Sequence, residues 1–547
     1  MDKKGFVIWG TGDRSSCFSE SLNEKPMFYI DNDIKKKGDV FFDREIRHPA
    51  DILHLGQYFI VIANSYYEDI KKQLSELGLK ENEDFIFYQK VENNVVRLEK
   101  LTGELRNNMI VFKERCSDFK NAALIFGSMI SFDQNSYKLY NEAYEKFPEK
   151  GRFLMISETH VIEDKAKLGM IKFPYFCLPL MLWQNFHLVQ NDFYEINTDS
   201  TIVDYIEEQS YRRRALVDFQ GKNRNMAHGY GECFIYYADL YIREMLDYIQ
   251  PQKVLIWNQF YPFHILIDAI CREKNIDILY MEYGVLPGTY LVERTGQMGE
   301  SFPAIYSNDF QKLSVTSDDI KEAEKVYEFL HESGINRKEQ PQSNELEIAK
   351  KAIDKNKPIV VYTGQNDYES GMYPYSEKTK KYHSPIFKTS NEAALFLAEI
   401  AEKNGWNFVY KPHPLCADIK SDEIKLPDKA IVIEKCNINE LLDWADVNVT
   451  ILSTTGYISL IRKKPTVMLG YTQLKDKGCN YQAFTREAVE GEIRKALQLG
   501  YTKEQEKAFV IHIARLNKYY LYDDMNERSI RFGKRWELIC LGETIDF

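Results

Sequence analysis

Short apolar runs alternate with amphipathic segments along this chain, and the alternation restricts its fold more than any other feature of the sequence. Apolar runs lie at residues 6–9, 123–126, 253–257, 358–362 and 447–450. A run of this length fits a buried strand, and the amphipathic segment after it fits a helix that covers the sheet. We therefore predict an α/β protein built from parallel sheets with right-handed crossovers.

The length of 547 residues exceeds what a single hydrophobic core supports, so we expect several domains. The polar stretch at residues 341–344, Pro-Gln-Ser-Asn, is the expected linker between the last two. The predicted domains are a Rossmann-like accessory domain at 1–90, a connecting helix at 91–118, an N-terminal lobe at 119–345 and a C-terminal lobe at 346–547.

Charge and composition exclude several classes of protein. A formal net charge of −11 disfavours nucleic-acid binding, because binding to a phosphate backbone requires a basic face. The nine cysteines are scattered without a CxxC pair, which indicates neither a disulfide framework nor a zinc site. The longest apolar run, 173–183, is shorter than a bilayer span, and no signal peptide is apparent. We expect a cytoplasmic protein and leave open peripheral contact with the inner face of the cytoplasmic membrane.

The amino-terminal module carries an incomplete dinucleotide-binding pattern. Gly10 and Gly12 follow the first strand, but the third glycine position holds Ser15, and Asp31 follows the second strand. Two interpretations remain: a structural, docking or regulatory domain whose glycines form a tight turn, which we favour, or a nucleotide site. The second would fit an oxidoreductase or an epimerase.

A histidine–proline loop follows the strand predicted at 407–410. Its residues are Lys411, Pro412, His413 and Pro414. Ligands of parallel sheets bind beyond the carboxyl ends of the strands, where His413 can donate a hydrogen bond to a phosphate and Lys411 can add positive charge. The alternative is a turn that contains a buried, satisfied histidine.

A hydroxyl-rich loop follows the strand predicted at 447–450. Ser453, Thr454, Thr455 and Gly456 precede a helix that we expect to begin near Tyr457. Free backbone N–H groups, hydroxyl donors and the helix dipole suit a phosphate. Simple helix capping is the alternative, but it requires only one hydroxyl. We predict that this loop and the histidine–proline loop converge on one phosphate.

Glu282 ends the strand predicted at 278–281 and is the candidate general base. A partly desolvated carboxylate has a raised pKa and can accept the proton of an acceptor hydroxyl. Its alternative role is to bond backbone amides in the turn between Gly284 and Gly288.

Further candidates line other strand ends. Asn258, Gly284, Gly288, Gly364 and Gln365 are candidate substrate-contacting residues. For Asn258 and for the segment of Gly364 and Gln365, an ordinary surface turn is the alternative. We expect no metal and no cofactor, because fixed donors can stabilise a departing phosphate and no suitably placed DxD pair occurs.

These motifs resemble a known family. Lys411-Pro412-His413-Pro414, Ser453-Thr454-Thr455-Gly456 and the segment from Lys464 to Gly470 are similar to the C-terminal lobe of bacterial capsular polysaccharide glycosyltransferases, especially the Kdo transferases. The resemblance covers roughly residues 250–485. It implies a GT-B fold, in which two Rossmann-like lobes face a cleft, and it implies that both motifs hold the CMP portion of a CMP-sugar.

The loop that begins at Glu282 resembles the acid-x-Gly loop of the same family and, more distantly, the acid-acid-Gly loop of bacterial sialyltransferases. The middle position of the latter motif is Tyr283 here. The resemblance implies a catalytic role for Glu282, and His413 is the second predicted catalytic residue.

The predicted function is transfer of a sugar from a nucleotide-activated donor to a capsular glycan. A CMP-sugar is the favoured donor, with CMP-Kdo as a candidate, and the expected partners are a glycan or lipid-linked glycan acceptor and other polysaccharide-assembly proteins. Two alternatives remain: a teichoic-acid-type glycerol-phosphate or ribitol-phosphate transferase that uses a CDP-alcohol, and a non-catalytic nucleotide-binding protein of polysaccharide assembly.

Overall fold

The computed structural model of the chain describes two compact units. The first contains Met1–Val254 and Leu266–Asp277, and the second contains Leu255–Ile265 and Ile278–Phe547. The domain boundaries given above stay a prediction. The described residues are 3–22, 25–64, 66–88, 98–127, 137, 140–142, 144–145, 153–157, 161–178, 224–337, 340–341, 343–367, 369–373, 375–414, 425–524, 530 and 532–534.

A small sheet forms the amino-terminal domain. Its elements are β1 (Phe6–Trp9), helix Asp13–Ser21, β2 (Tyr29–Ile30), β3 (Val40–Phe41), β4 (Arg44–Arg47), β5 (Phe59–Ile62), helix Tyr67–Glu76 and β6 (Phe85–Phe87). The strands lie in the order β3-β4-β2-β1-β5-β6, and all neighbours pair in parallel except β3 and β4. The apolar side chains of β1 are fully buried from Val7 to Trp9.

The rest of the first unit holds three parallel strands and the helices around them. Strand β7 pairs with β8, and β8 pairs with β9. Two long helices pack through the Lys113–Glu244 ion pair and through the hydroxyl of Tyr248, which donates to the Lys113 carbonyl. The elements are helix Leu98–Arg115, β7 (Ala123–Phe126), β8 (Phe153–Ser157), helix Val161–Lys167, β9 (Tyr175–Cys177) and helix Arg224–Ile249.

A mixed group of strands opens the second unit and corrects the expectation of purely parallel pairing. Strand β11 pairs antiparallel with β12, and β12 pairs antiparallel with β19. The loop between β11 and β12 is too short for the crossover that parallel strands require. The elements are β11 (Asp277–Tyr283), β12 (Thr289–Glu293) and, near the end of the chain, β19 (Leu521–Asp523); before them come β10 (Lys253–Trp257) and helix Pro262–Glu273, whose residues are divided between the two units.

A parallel sheet of six strands forms the remainder of the second unit. Its strands are β13 (Ile359–Thr363), β14 (Asn407–Lys411), β15 (Ile431–Val432), β16 (Val447–Thr450), β17 (Thr466–Met468) and β18 (Tyr481–Gln482). They lie in the order β15-β14-β13-β16-β17-β18, with β13 paired in parallel to both β14 and β16.

Helices cover this sheet on both faces. Apolar residues of Ser390–Asn404 pack in one core cluster, and those of Ile438–Trp444 pack in another. The helices of this part are Phe302–Ile305, Ser307–Lys312, Ser317–Ser333, Glu345–Ala352, Glu377–Tyr382, Ser390–Asn404, Ile438–Trp444, Thr455–Ile461, Arg486–Leu499 and Lys503–Arg515.

The predicted α/β class, with a small Rossmann-like amino-terminal domain ahead of further parallel sheets, is confirmed. The strands predicted at 6–9, 123–126, 253–257 and 447–450 have those bounds. Among the helices that the structure describes, none combines the length and apolar character required to cross a bilayer.

Gly10 is required by the tight turn after β1. Its φ is +138°, and a Cβ at this position would lie 2.3 Å from the carbonyl oxygen of Ala63. Gly12, two residues later, has no atom within 4 Å of its ideal Cβ position. The two glycines of the motif therefore differ in how strictly they are needed.

We predict that Gly10→Ala destabilises the amino-terminal domain by on the order of 2 kcal/mol, because both the backbone conformation and the backbone contact oppose a side chain. Hydrogen exchange of the intact chain should show faster exchange in β1 and β5. Gly12→Ala is the matched control and should leave exchange there within about threefold of the unsubstituted chain. Equal protection in both variants would contradict the prediction.

Candidate functional site

Three neighbouring strand ends of the six-stranded sheet carry the predicted loops. Strand β13 lies between β14 and β16, so the loops that follow these strands leave the same edge of the sheet. The amide of Gly364 donates to the Lys411 carbonyl oxygen over 2.9 Å. A Cβ at Gly364 would lie 2.8 Å from the Ser390 hydroxyl, so a side chain at this position would require Ser390 to shift.

Gln365 connects the middle loop to the hydroxyl-rich loop. Its side chain is buried, and its Oε1 accepts a hydrogen bond from the Leu452 amide over 2.8 Å. Its Nε2 donates to the sulfur of Met372, and its own amide donates to the Ser390 hydroxyl. Gln365 is therefore a structural bridge between two of the strand ends.

The hydroxyl-rich loop enters its helix at Thr455, two residues earlier than predicted. The Thr455 amide donates to Ser453 Oγ over 3.3 Å, and Thr455 Oγ1 lies 2.7 Å from Thr363 Oγ1. Thr454 is the N-cap residue, but its side chain makes no capping hydrogen bond. A Cβ at Gly456 would lie 3.0 Å from Met468 Sδ, so the helix packs closely on β17.

Lys411 is buried at the end of β14. Its ammonium donates to the carbonyl oxygens of Pro412, at 2.9 Å, and Glu434, at 2.8 Å. Burial lowers the pKa of this ammonium. Lys411 therefore fixes the loop from inside, and its predicted contact with a phosphate stays a prediction.

His413 and Pro414 are the more exposed members of the histidine–proline loop. Pro412 is buried, His413 is half-buried and Pro414 is exposed. This gradient makes the histidine ring the ionisable group of the loop that retains exposed surface.

Glu282 lies one residue before the end of β11 and is half-buried. Burial raises the pKa of its carboxyl group to about 7. Positive charge on Arg337 opposes this shift, and negative charge on Glu369 adds to it. A carboxyl group with this pKa is suited to proton transfer near neutral pH.

The turn after β11 satisfies its own backbone groups. The Gly284 amide donates to the Thr289 carbonyl over 2.7 Å, and Gly288 has a φ of +76°. A Cβ at Gly284 would lie 2.0 Å from Thr289 Oγ1. Among the described residues, the hydrogen-bond partner of the Glu282 side chain is Gln297 rather than an amide of this turn.

Asn258 is held in the turn after β10 with a φ of +60°. Its Oδ1 accepts from the Phe260 amide over 2.8 Å, and its Nδ2 donates to the Glu369 carbonyl over 3.1 Å. Both ends of the side chain are engaged within the protein, so its predicted contact with substrate stays a prediction.

A cluster of ionisable groups around the buried Glu300 was not predicted from the sequence. Glu300 Oε1 lies 3.0 Å from His383 Nε2, and Glu300 Oε2 lies 2.9 Å from the Lys378 ammonium. Burial alone would raise the pKa of Glu300, but the bonds from His383 and Lys378 lower it below its usual value. The acid and the histidine lie 83 positions apart in the sequence, so no local pattern indicates the pair.

The acid of the amino-terminal module has partners within the module. Asp31 Oδ2 accepts from the Lys36 ammonium over 2.9 Å and from the Thr11 hydroxyl, and Oδ1 accepts from the Asp33 amide over 2.9 Å. These contacts account for Asp31 as a stabilising residue of the turn.

Two family models match parts of the chain. Residues 2–85 match the model described as C2185-like, N-terminal, and residues 316–499 match the model described as capsule polysaccharide biosynthesis protein. The second match spans the six-stranded sheet with both predicted phosphate loops. No curated protein matches the chain.

Three solved structures are distantly similar to the chain. A KpsC beta-Kdo 2,7 transferase from Thermosulfurimonas dismutans is 18% identical, with 56% of this chain and 90% of that chain covered, at a TM-score of 0.35. A UDP-GlcNAc 2-epimerase from Methanocaldococcus jannaschii is 12% identical, with coverages of 72% and 98% and a TM-score of 0.32. A glycosyltransferase from Rickettsia africae is 11% identical, with coverages of 77% and 96% and a TM-score of 0.29.

We predict that Gln365→Leu destabilises the six-stranded sheet by about 1–3 kcal/mol, because it leaves the buried Leu452 amide without an acceptor. Calorimetry of the intact chain should show a lower Tm for the transition of this sheet, by roughly 2–4 °C for each kcal/mol. Gln498→Leu, at an exposed helix position, is the control and should leave the Tm unchanged. An unchanged Tm in Gln365→Leu would show that the bridge contributes little.

Proposed function

We propose that this chain is a glycosyltransferase of capsule polysaccharide synthesis that uses a nucleotide-activated sugar, preferably a CMP-sugar such as CMP-Kdo. The family match over residues 316–499 supports the role in capsule synthesis. The preference for CMP rests on the motifs at Lys411–Pro414 and Ser453–Gly456. The proposed acceptor is a bacterial surface glycan, free or lipid-linked.

One observation carries the proposal: hydrogen bonds join the loops at three adjacent strand ends. The backbone N–H of Gly364 donates to the Lys411 carbonyl, at the start of the histidine–proline loop. The side-chain Oε1 of Gln365 accepts from the backbone N–H of Leu452, which leads into the hydroxyl-rich loop. We call the edge formed by the loops after β13, β14 and β16 the rim. Because hydrogen bonds fix these loops, the rim can offer preorganised donors to an anion, with little reorganisation on binding. We propose that the donor phosphate lies along this rim.

In the proposed reaction the acceptor hydroxyl attacks the anomeric carbon of the donor sugar. The bond from the acceptor oxygen to the anomeric carbon forms, the bond from that carbon to the phosphate oxygen breaks, and CMP leaves. Glu282 takes the hydroxyl proton. His413 and the hydroxyls of Ser453 and Thr454 stabilise the charge on the phosphate without a metal ion, while Lys411 holds the loop in place.

The remaining parts of the proposal concern the surroundings of the enzyme. We propose the GT-B arrangement of two lobes, a cytoplasmic location with peripheral contact at the membrane, and association with other polysaccharide-assembly proteins. Because the formal net charge is −11, we propose that local hydrogen-bond donors, rather than the overall charge of the protein, bind the anionic ligand.

We predict that CMP raises the Tm of the intact chain, since a ligand at 100 times its Kd stabilises the native state by about 2.7 kcal/mol. His413→Ala should lose most of this increase because it removes a phosphate donor. His331→Ala, whose ring lies against the Ile461 carbonyl, is the control and should keep the increase.

The same thermal-shift measurement discriminates the alternatives. A larger increase with CDP-glycerol than with any CMP-sugar would favour the teichoic-acid-type transferase. A response to NAD, with none to CMP, would overturn the proposal and favour the amino-terminal module as the nucleotide site.

We predict that Glu282→Gln lowers transfer from CMP-Kdo by at least about 100-fold while the Tm increase with CMP remains. Because burial raises the pKa of Glu282 to about 7 and the base must be ionised, kcat/KM should fall about tenfold per pH unit below that value. The assay is run in EDTA, which should not lower the rate. Unchanged turnover in Glu282→Gln would exclude the base role, and nucleotide binding without turnover in the unsubstituted chain would indicate a non-catalytic protein.

A further inference from the structure

Gln297 lies beside the candidate base and is fully buried. Its Nε2 carries two N–H groups. One donates to the Met281 carbonyl oxygen over 2.9 Å, and the other is directed to Glu282 Oε2 over 3.4 Å. The strand that presents the carboxylate and the carboxylate itself therefore share one donor group.

The orientation of this amide is fixed by a second glutamine. The side-chain Oε1 of Gln297 accepts from the backbone N–H of Gln259 over 2.5 Å, and the backbone N–H of Gln297 donates to the side-chain Oε1 of Gln259 over 2.9 Å. A reversed side-chain amide would place two donors together at the Gln259 amide and two acceptors together at the Met281 carbonyl. Only one orientation satisfies both backbone groups, and it directs the amino group of Gln297 toward the carboxylate.

We infer that Gln297 is a positioning residue that holds the Glu282 carboxylate in place for proton transfer and favours its ionised form. The inference deepens the proposed function, because it assumes that Glu282 is the base. Gln297 acts through Glu282 and is not itself assigned a contact with substrate.

Two charged groups, in addition to the neutral Gln297, act on the same carboxylate. Arg337, in the loop after helix Ser317–Ser333, opposes the rise in the pKa of Glu282, and Glu369, in the loop after β13, increases it. Arg337 is itself engaged, since its Nη2 donates to the Gly284 carbonyl over 2.7 Å. Gln297 adds a neutral donor, which favours the charged carboxylate without adding a charge of its own.

The fixed geometry explains why a glutamine suits this position. Lysine would lack the acceptor that the Gln259 amide requires, and glutamate would lack the two donors. A neutral amide supplies both functions in a buried site, where an unpaired charge would be costly.

The test is the titration midpoint of Glu282, measured by 13C NMR of the intact chain with carboxyl-labelled glutamate and assigned by difference against Glu282→Gln. In Gln297→Met the midpoint should rise by on the order of one pH unit, because the donor is lost. The acid limb of kcat/KM should move by the same amount. Gln259→Met is the matched control, because it makes the same neutral change in the same glutamine pair at a side chain that does not contact Glu282. The titration midpoint of Glu282 should not move in this variant.

An unmoved midpoint in Gln297→Met, or an equal rise in Gln259→Met, would overturn the inference. If Gln297→Met does not fold, Gln297→Glu replaces it, since it keeps the acceptor for Gln259, and its midpoint should rise further. The NMR midpoint does not depend on turnover. A chain that transfers no sugar would end the proposed function, whereas an active chain with an unmoved midpoint would end only this inference.

Discussion

The hydrogen bond from the Leu452 amide to Gln365 Oε1 is the contact on which the arrangement of the candidate site depends. Strand β13 lies between β14 and β16, so its loop is the one that can reach both neighbours. Gly364 bonds one neighbour and Gln365 the other, which fixes the spacing of the histidine–proline and hydroxyl-rich loops. Together with the contact between the Thr363 and Thr455 hydroxyls, this bridge holds the loop after β13 against the hydroxyl-rich loop.

The candidate base depends on a comparable arrangement of buried polar groups. Glu282 tolerates partial burial because Gln297 gives it a hydrogen bond and because Arg337 lies near enough to oppose the cost of its charge. Gln259 holds Gln297 in turn. Burial raises the pKa of this carboxyl group to about 7, and the positive charge on Arg337 opposes the rise. A carboxyl group with a pKa near neutrality can both accept and release a proton.

The sequence predicted the strands and helices whose signals are local. The buried run at Val447–Thr450 has the predicted bounds. Helix Ile438–Trp444 likewise begins at a local signal, because Asn437 caps its first turn. Strands β12 and β19 were missed, since their antiparallel pairing joins residues that lie far apart, such as Thr289 and Asp523. Similarly, the Gln259–Gln297 pair spans 38 residues and follows no periodic pattern. The contact between the Lys411 ammonium and the distant Glu434 carbonyl is another that no motif indicates, while the predicted contact of Lys411 with a phosphate stays a prediction.

A crystal structure of the intact chain with CMP bound tests the central claim most directly. The account predicts that the phosphate lies beyond the ends of β14 and β16, within hydrogen-bonding distance of the His413 ring and of a hydroxyl of Ser453 or Thr454. A phosphate bound away from both loops, for example at the Gly10–Gly12 turn of the amino-terminal domain, would contradict it.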